Sequence, residues 1–303
     1  MLPTRQGSIH LFRVAGLNVW LHWSWFVIAM FEISYRRGSY VSPAWIVLEY
    51  VTLFVIVLLH EMGHAFACRS VGGQADEIVL WPFGGVAYVA PPMRPGATLW
   101  SIAAGPLVNV ALFFPLTLLL VLTGTSPFAV QPSDPNHYLQ AVWWTNAVLL
   151  GFNLLPIYPL DGGQILRSLL WFAVGRARSL MAASVIGIIG VPVLFLLAWW
   201  ESSIWLGILA LLIVSLCWRG LQHARQLARV AALPRRDGFK CPSCETAPPI
   251  GAWWVCGRCG KPFDTFESGA VCPHCGAQFS GTRCLDCGTM HPMDEWRLPP
   301  PVL

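Results

Sequence analysis

A protein of 303 residues with 55% hydrophobic and only 11% charged side chains cannot clothe a water-facing surface with charge, which excludes an ordinary soluble domain and places the chain in a bilayer. Its net charge of +4 is too modest to argue for nucleic acid, so the arginines are better read for membrane topology. Most of the ten cysteines lie beyond Lys240, dividing the chain into an apolar body and a polar, cysteine-rich tail.

In chain order, the polar start with Arg5 and Arg13 leads into further apolar runs, so the N-terminus is expected to be retained rather than cleaved as a signal peptide. Ser8–Val14 reads as a short strand or a loop. Apolar runs near 18–34, 45–69, 97–123, 138–157, 180–200 and 203–220 each approach the roughly 20 residues that a bilayer-crossing helix needs. The expected fold is an α-helical polytopic membrane protein with these six transmembrane helices. Between the second and third runs, Glu77–Trp81 and Val86–Ala90 flank Pro82-Phe83-Gly84-Gly85 and predict a β-hairpin at the membrane edge.

The connections from Gly124 to His137 and around Glu201 carry no Lys or Arg, whereas Arg69, Arg94, Arg167, Arg176, Arg178 and the stretch from Arg219 to Lys240 are basic. By the positive-inside rule both termini are expected in the cytosol, with the plasma membrane as the expected location. Beyond the last run, Gln222–Ala232 continues as a basic helical segment that Pro234 ends. The expected organisation is a membrane-embedded domain over 1–232, a linker over 233–239, tandem zinc ribbons over 240–297 and a disordered end over 298–303.

The sharpest chemical signal is His60-Glu61-Met62-Gly63-His64 inside the second run. Residues four apart lie about 40° apart around a helix, so both imidazoles can grip one metal ion. A catalytic zinc site takes three protein ligands and leaves the fourth position to water. The best third ligand is Asp161, which follows Pro156 and Pro159 and precedes Gly162 and Gly163 at the end of an apolar run. Such residues break a helix, and broken backbone at membrane depth must line a wet cavity or be buried. From Trp45 to His60 is roughly 22 Å of helix, so the metal lies below the cytosolic surface, on the same side as Asp161. Glu61 is then the general base for metal-activated water.

The His60–His64 motif in one span and Asn153…Leu160-Asp161-Gly162 at the end of another resemble the site-2 protease family of intramembrane zinc metalloproteases. Pro82-Phe83-Gly84-Gly85, Ala104-Gly105-Pro106-Leu107-Val108-Asn109 and Gly16…Val19…His22 extend the resemblance over about residues 8–220. It implies His60, His64 and Asp161 as ligands of one catalytic zinc, Glu61 as the base, and Asn153 as a polar contact for substrate or oxyanion. It also implies that the hairpin around Phe83, Gly84 and Gly85 meets a transmembrane protein substrate, which must be extended before its peptide bond fits the site. The tail departs from any pattern in the family, so regulation does not carry over.

In the tail, Cys241 and Cys244 are expected to pair with Cys256 and Cys259 around one structural zinc, and Cys272 and Cys275 with Cys284 and Cys287 around a second. Pairing of Cys256 and Cys259 with Cys272 and Cys275, leaving the outer knuckles to meet, is the alternative at similar spacing. Closed tetrathiolate sites are not catalytic, so the ribbons are expected to serve a protein partner or self-regulation. Interspersed acids such as Glu245, Asp264 and Glu267 argue against nucleic acid. The rival functions are a membrane zinc transporter or sensor, and a non-catalytic membrane-protein-binding scaffold. Glu61, in the metalloprotease register beside a single ligand cluster, favours hydrolysis over both.

Overall fold

The computed structural model describes residues 7–35, 38–81, 84–130 and 133–298. Alternation decides its first elements: Leu17, Val19 and Leu21 are buried while Asn18, Trp20 and His22 are only partly so, and this period of two makes β2 (Leu17–His22) a strand. It pairs antiparallel with β1 (Ser8–Val14). The expected span over 18–34 is therefore corrected, because its front is strand and only α1 (Ser24–Tyr35), 12 residues and about 18 Å long, is helical.

The expected hairpin forms from β3 (Gln74–Trp81) and β4 (Gly84–Ala90), and β2 runs parallel to β3. The result is one four-stranded sheet of order β1-β2-β3-β4, with β4 on an edge. Its buried face, including Leu17, Val19, Ile78 and Leu80, packs on Val57, Ala65 and Cys68 of α2 (Pro43–Ser70). Residue Phe83, one of the expected substrate contacts, lies outside the described residues.

The remaining helices are α3 (Pro95–Leu122), α4 (Asp134–Asn153), α5 (Asp161–Val174), α6 (Arg176–Trp200) and α7 (Ile204–Ala231). Among the described residues four are long and apolar enough to cross a membrane: α2, α3, α6 and the Leu206–Ala231 part of α7. This is an integral membrane protein, and exposed Phe114, Leu118, Val193 and Leu196 on α3 and α6 give it a lipid-compatible surface. Of the six expected spans, α1 is short, and α4, although 20 residues long, is rich in amides and other polar groups, so neither meets that measure of length and composition. The last apolar run and the basic segment after it form one continuous helix, α7.

Between α4 and α5 the helix stops, as Pro156 and Pro159 require, and Ile157 inserts against Val191 and Leu194 of α6 and Ala210 and Ile213 of α7. The Cys217 thiol of α7 donates to the Tyr158 carbonyl at 2.5 Å, satisfying an acceptor that the break exposes. This break places Asp161 at the first turn of α5.

The tail is built from four repeats of one turn. In each Cys-x-x-Cys knuckle the first cysteine carbonyl accepts from the amide four residues on: Glu245 to Cys241 at 2.8 Å, Gly260 to Cys256 at 2.9 Å, Gly276 to Cys272 at 2.9 Å and Gly288 to Cys284 at 2.8 Å. All four donors have positive φ, which glycine adopts freely and Glu245 (φ 58°) does not. The second and fourth knuckles sit on two-stranded hairpins, β5 (Trp254–Val255) with β6 (Pro262–Phe263) and β7 (Thr282–Arg283) with β8 (Met290–His291).

The expected sequential pairing of knuckles is corrected: Cys241 and Cys244 meet Cys284 and Cys287, and Cys256 and Cys259 meet Cys272 and Cys275. The cause is tertiary. A bridge between Phe239 and Arg297 and the Lys240 amide bonded to the Trp296 carbonyl at 2.8 Å bring the ends of the tail together. A single aromatic core then forms, with the Phe266 ring 5.2, 5.3 and 5.0 Å from those of Phe239, Trp254 and Trp296. The tail is one nested module rather than two successive ribbons. Residues 233–239 are bonded into it as well, the Arg236 amide donating to the Pro248 carbonyl (2.8 Å) and the Leu298 amide to the Gly238 carbonyl (3.0 Å). Residues 299–303 of the expected disordered end lie outside the described ones.

Candidate active site and metal centres

His60 and His64 project from one face of α2, as their spacing dictates, into the space between α2, α3 and the start of α5. The His60 Nε2 lies 3.0 Å from Asp161 Oδ2 and 3.1 Å from His64 Nε2, and His64 Nε2 lies 3.3 Å from the same carboxylate oxygen. Ligands about 2.0–2.1 Å from a tetrahedral ion stand about 3.3 Å apart, so the three atoms form one face of such a tetrahedron. The donor set and its dimensions fit a zinc ion.

The far side of each imidazole is tied down. His60 Nδ1 donates to the Asn109 side-chain oxygen at 2.5 Å and His64 Nδ1 to the Ser101 carbonyl at 2.9 Å. Since amide and carbonyl oxygens only accept, both rings carry their proton on Nδ1 and turn a bare Nε2 to the metal position. Asn109 is itself locked to α4, donating to Asn146 Oδ1 at 2.9 Å and receiving the Asn146 amide on its backbone carbonyl at 3.0 Å. Both asparagines are fully buried.

Glu61 is buried beside this cluster, and its Oε2 accepts the backbone amide of Ala87 at 2.8 Å. That amide belongs to the edge strand β4, so the sheet is fastened to the carboxylate. The approach is close: a Cβ on Gly85 would come within 2.2 Å of Glu61 Cγ, and one on Gly105 within 2.3 Å of His64 Nε2. Only glycine fits at either place.

A cavity of ≈ 360 Å³ joins the parts, with His60, Glu61, Asp161, Gly84, Gly85 and Asn153 among its walls. The sequence-predicted His60, Glu61, His64, Asp161, Asn153, Gly84 and Gly85 thus meet at one cavity. Sequence reasoning missed Asn146 and the Ala87 amide, and left Asn109 divided between substrate contact and packing. An amide within an apolar run, two turns before Asn153 on the same helix, was the available signal for Asn146.

The family model for Peptidase family M50 matches residues 49–132 and 128–197, the segment that carries both motifs and every group of the His60–Asp161 site described above. The membrane body belongs to peptidase family M50, that of the site-2 proteases. Among its relatives, the chain is 35% identical over 182 residues to the zinc metalloprotease MJ0392 of Methanocaldococcus jannaschii, covering 59% of this chain and 50% of the relative. It is 34% identical over 181 residues to a protein named Rip3 in Mycobacterium tuberculosis, covering 55% of this chain and 44% of that one. The chain thus spans about half the length of the curated relatives it matches. A solved site-2 protease from Methanocaldococcus jannaschii superposes with a TM-score of 0.51 at 28% identity, covering 71% of this chain and 95% of that one.

The two cysteine clusters pass a similar test of size. Sγ atoms stand 3.6 Å (Cys241–Cys287) and 3.7 Å (Cys244–Cys284) apart in the outer cluster, and 3.6 Å (Cys256–Cys275) and 3.8 Å (Cys259–Cys272) in the inner one. Four sulfurs about 2.3 Å from a tetrahedral zinc are about 3.8 Å apart, whereas a disulfide would hold them near 2.05 Å. All eight cysteines are free. Within the outer cluster the hydrogen bond between Cys284 and Cys244 draws the Cys244 thiol down to about 4 and pushes Cys284 up, so the pair shares a proton that a metal ion would displace.

Proposed function

We propose that this protein is an intramembrane zinc endopeptidase that hydrolyses a peptide bond within or next to a transmembrane segment of a membrane-protein substrate. The observation that carries the reading is the convergence of His60 Nε2, His64 Nε2 and Asp161 Oδ2 within 3.0–3.3 Å, beside the buried Glu61. One zinc bound there supplies Lewis acidity, lowering the pKa of water towards about 7 and polarising the scissile carbonyl. Glu61 takes the proton of the attacking water on its carboxylate and returns it to the departing amine. The bond from Ala87 fixes that carboxylate while leaving it capacity for further hydrogen bonds. Asn153, on the wall of the same cavity, holds a substrate carbonyl.

Substrate enters extended, adding as a strand to β4, whose open edge runs past Glu61 with Gly84 and Gly85 on the cavity wall. The tail holds two structural zincs and serves protein binding or self-regulation. Arg69 at the end of α2, Arg94 before α3, Arg176 at the start of α6 and the basic end of α7 share one end of the body, which supports cytosolic termini in a plasma membrane.

Glu61→Gln tests the reading against a transporter or a scaffold. Glutamine can still accept from Ala87 and leaves the three ligands untouched, so the variant should fold and keep its zinc while cleavage stops. Co-expressing wild type and variant and comparing membrane proteins released as soluble fragments gives the readout. Cleavage that persists in the variant would refute the assignment of the base.

A further inference from the structure

The tail meets the membrane body at a junction that neither the active site nor the ribbon fold requires. Arg176, the first residue of α6, donates from Nη1 to the carbonyl of Asp286, inside the Cys284–Cys287 knuckle. The Asp286 carboxylate receives both arms of Arg235, at 2.7 and 3.1 Å. Arg235 in turn holds the Val230 carbonyl at the end of α7 at 2.9 Å and the Ala247 carbonyl at 2.8 Å. A cavity of ≈ 330 Å³ lies at this junction, walled by Arg94, Trp171 and Arg176 from the body and by Cys244 and Cys287 from the tail.

The charge balance at this junction depends on metal. A metal-free cluster that keeps most of its thiol protons carries at most about one negative charge, whereas four thiolates around one divalent cation carry a net charge of about −2. Arg176 lies within electrostatic reach of Cys287, the Asp286 carboxylate and Cys244, and its buried Nε has no hydrogen-bond partner among the described residues. A partly desolvated guanidinium is costly unless an anion faces it, and attraction is strengthened where water is excluded. Cys256, Cys259, Cys272 and Cys275 form no part of that cavity's wall, so the inner cluster provides a built-in contrast.

We propose that the metal-loaded outer cluster of Cys241, Cys244, Cys284 and Cys287 is the docking face by which the tail binds the rim of the membrane body, with Arg176 as its principal counter-charge. This rests on reading the cysteines as zinc ligands. The outer site is a metal-dependent clasp, and the inner site holds only the tail's own fold. Zinc content and hydrogen exchange separate the two ideas, measured on the full chain in nanodiscs. Cys284→Ser/Cys287→Ser should lose one zinc and speed amide exchange over residues 171–177 on the order of tenfold. Cys256→Ser/Cys259→Ser should lose one zinc without that change. Arg176→Gln should retain all its zinc, keep the tail protected, and still show the faster exchange at 171–177. Unchanged exchange in both Arg176→Gln and the outer-cluster variant, with one zinc lost from the latter, overturns the clasp and spares the zinc reading. Full zinc content in the outer-cluster variant overturns both.

Discussion

His60 can offer a bare Nε2 only while its Nδ1 proton has a fixed acceptor, and that acceptor, Asn109, is held by Asn146 on a third helix. Outer partners of metal-ligating histidines commonly matter 10–100-fold in affinity, so Asn146→Ala should weaken zinc binding by about that factor, measured by competition with a chelator. Asn109→Asp keeps an oxygen for His60 and should lose less than Asn109→Ala. Equal affinity in Asn146→Ala and wild type would show that α4 plays no part in holding the ring. At this scale the sequence was informative wherever the geometry is local. The His60–His64 pair was readable because helical spacing alone puts both rings on one face. Asp161 was readable because prolines and glycines mark the break that presents it. Asn146 was not, since its role exists only once α3 and α4 pack, and no short-range pattern encodes that packing.

At the scale of elements, the hairpin of β3 and β4 was legible from its apolar runs and glycine turn, while β2 was hidden inside a run whose mean hydropathy suits a membrane helix. The alternation of Leu17, Val19 and Leu21 was the overlooked signal. Knuckle pairing failed for a different reason. Sequential pairing closes the shorter loops, but loop-closure entropy grows only slowly with length, and the shared core around Phe266 decides instead. The nested arrangement has a discriminating test. Cys241→Ser/Cys284→Ser removes two ligands of one site and should leave one tail zinc, whereas sequential pairing would damage both sites and leave none. The repeated turn gives a second test. Glu245 alone among the four turn residues carries a side chain at positive φ, so Glu245→Gly should stabilise the metal-loaded tail by about 0.5–1 kcal/mol in denaturant titration. A destabilised tail would mean that the Glu245 side chain makes a compensating contact.

For the whole molecule, two ways of stabilising a fold are joined end to end. In the body, apolar helices satisfy their backbone groups internally, and lipid enforces that satisfaction whether or not metal is present. Its His60 and His64 rings are also anchored from behind, by Asn109 and the Ser101 carbonyl, so both are preorganised by protein contacts alone. The tail has a core of little more than Trp254, Phe263, Phe266 and Trp296 around its buried cysteines, and a module that small ordinarily needs staples. Zinc bound to folded thiolates contributes directly to folding free energy, so metal removal should act unevenly along the chain. Chelation in nanodiscs should bring amide exchange over residues 240–297 close to unfolded rates, while the middle of α2 and α3 stays protected. Far-UV circular dichroism should keep nearly all of its helical signal. A tail that remains protected at zero zinc content would mean that its aromatic core suffices alone, and a body that loses protection with it would mean that an ion between His60, His64 and Asp161 is structural too. The expected state between those outcomes is a membrane body with its ligands still aligned and a tail released from its fold, in which rebinding of zinc to the outer cluster has to rebuild both the knuckles and their seat on Arg176.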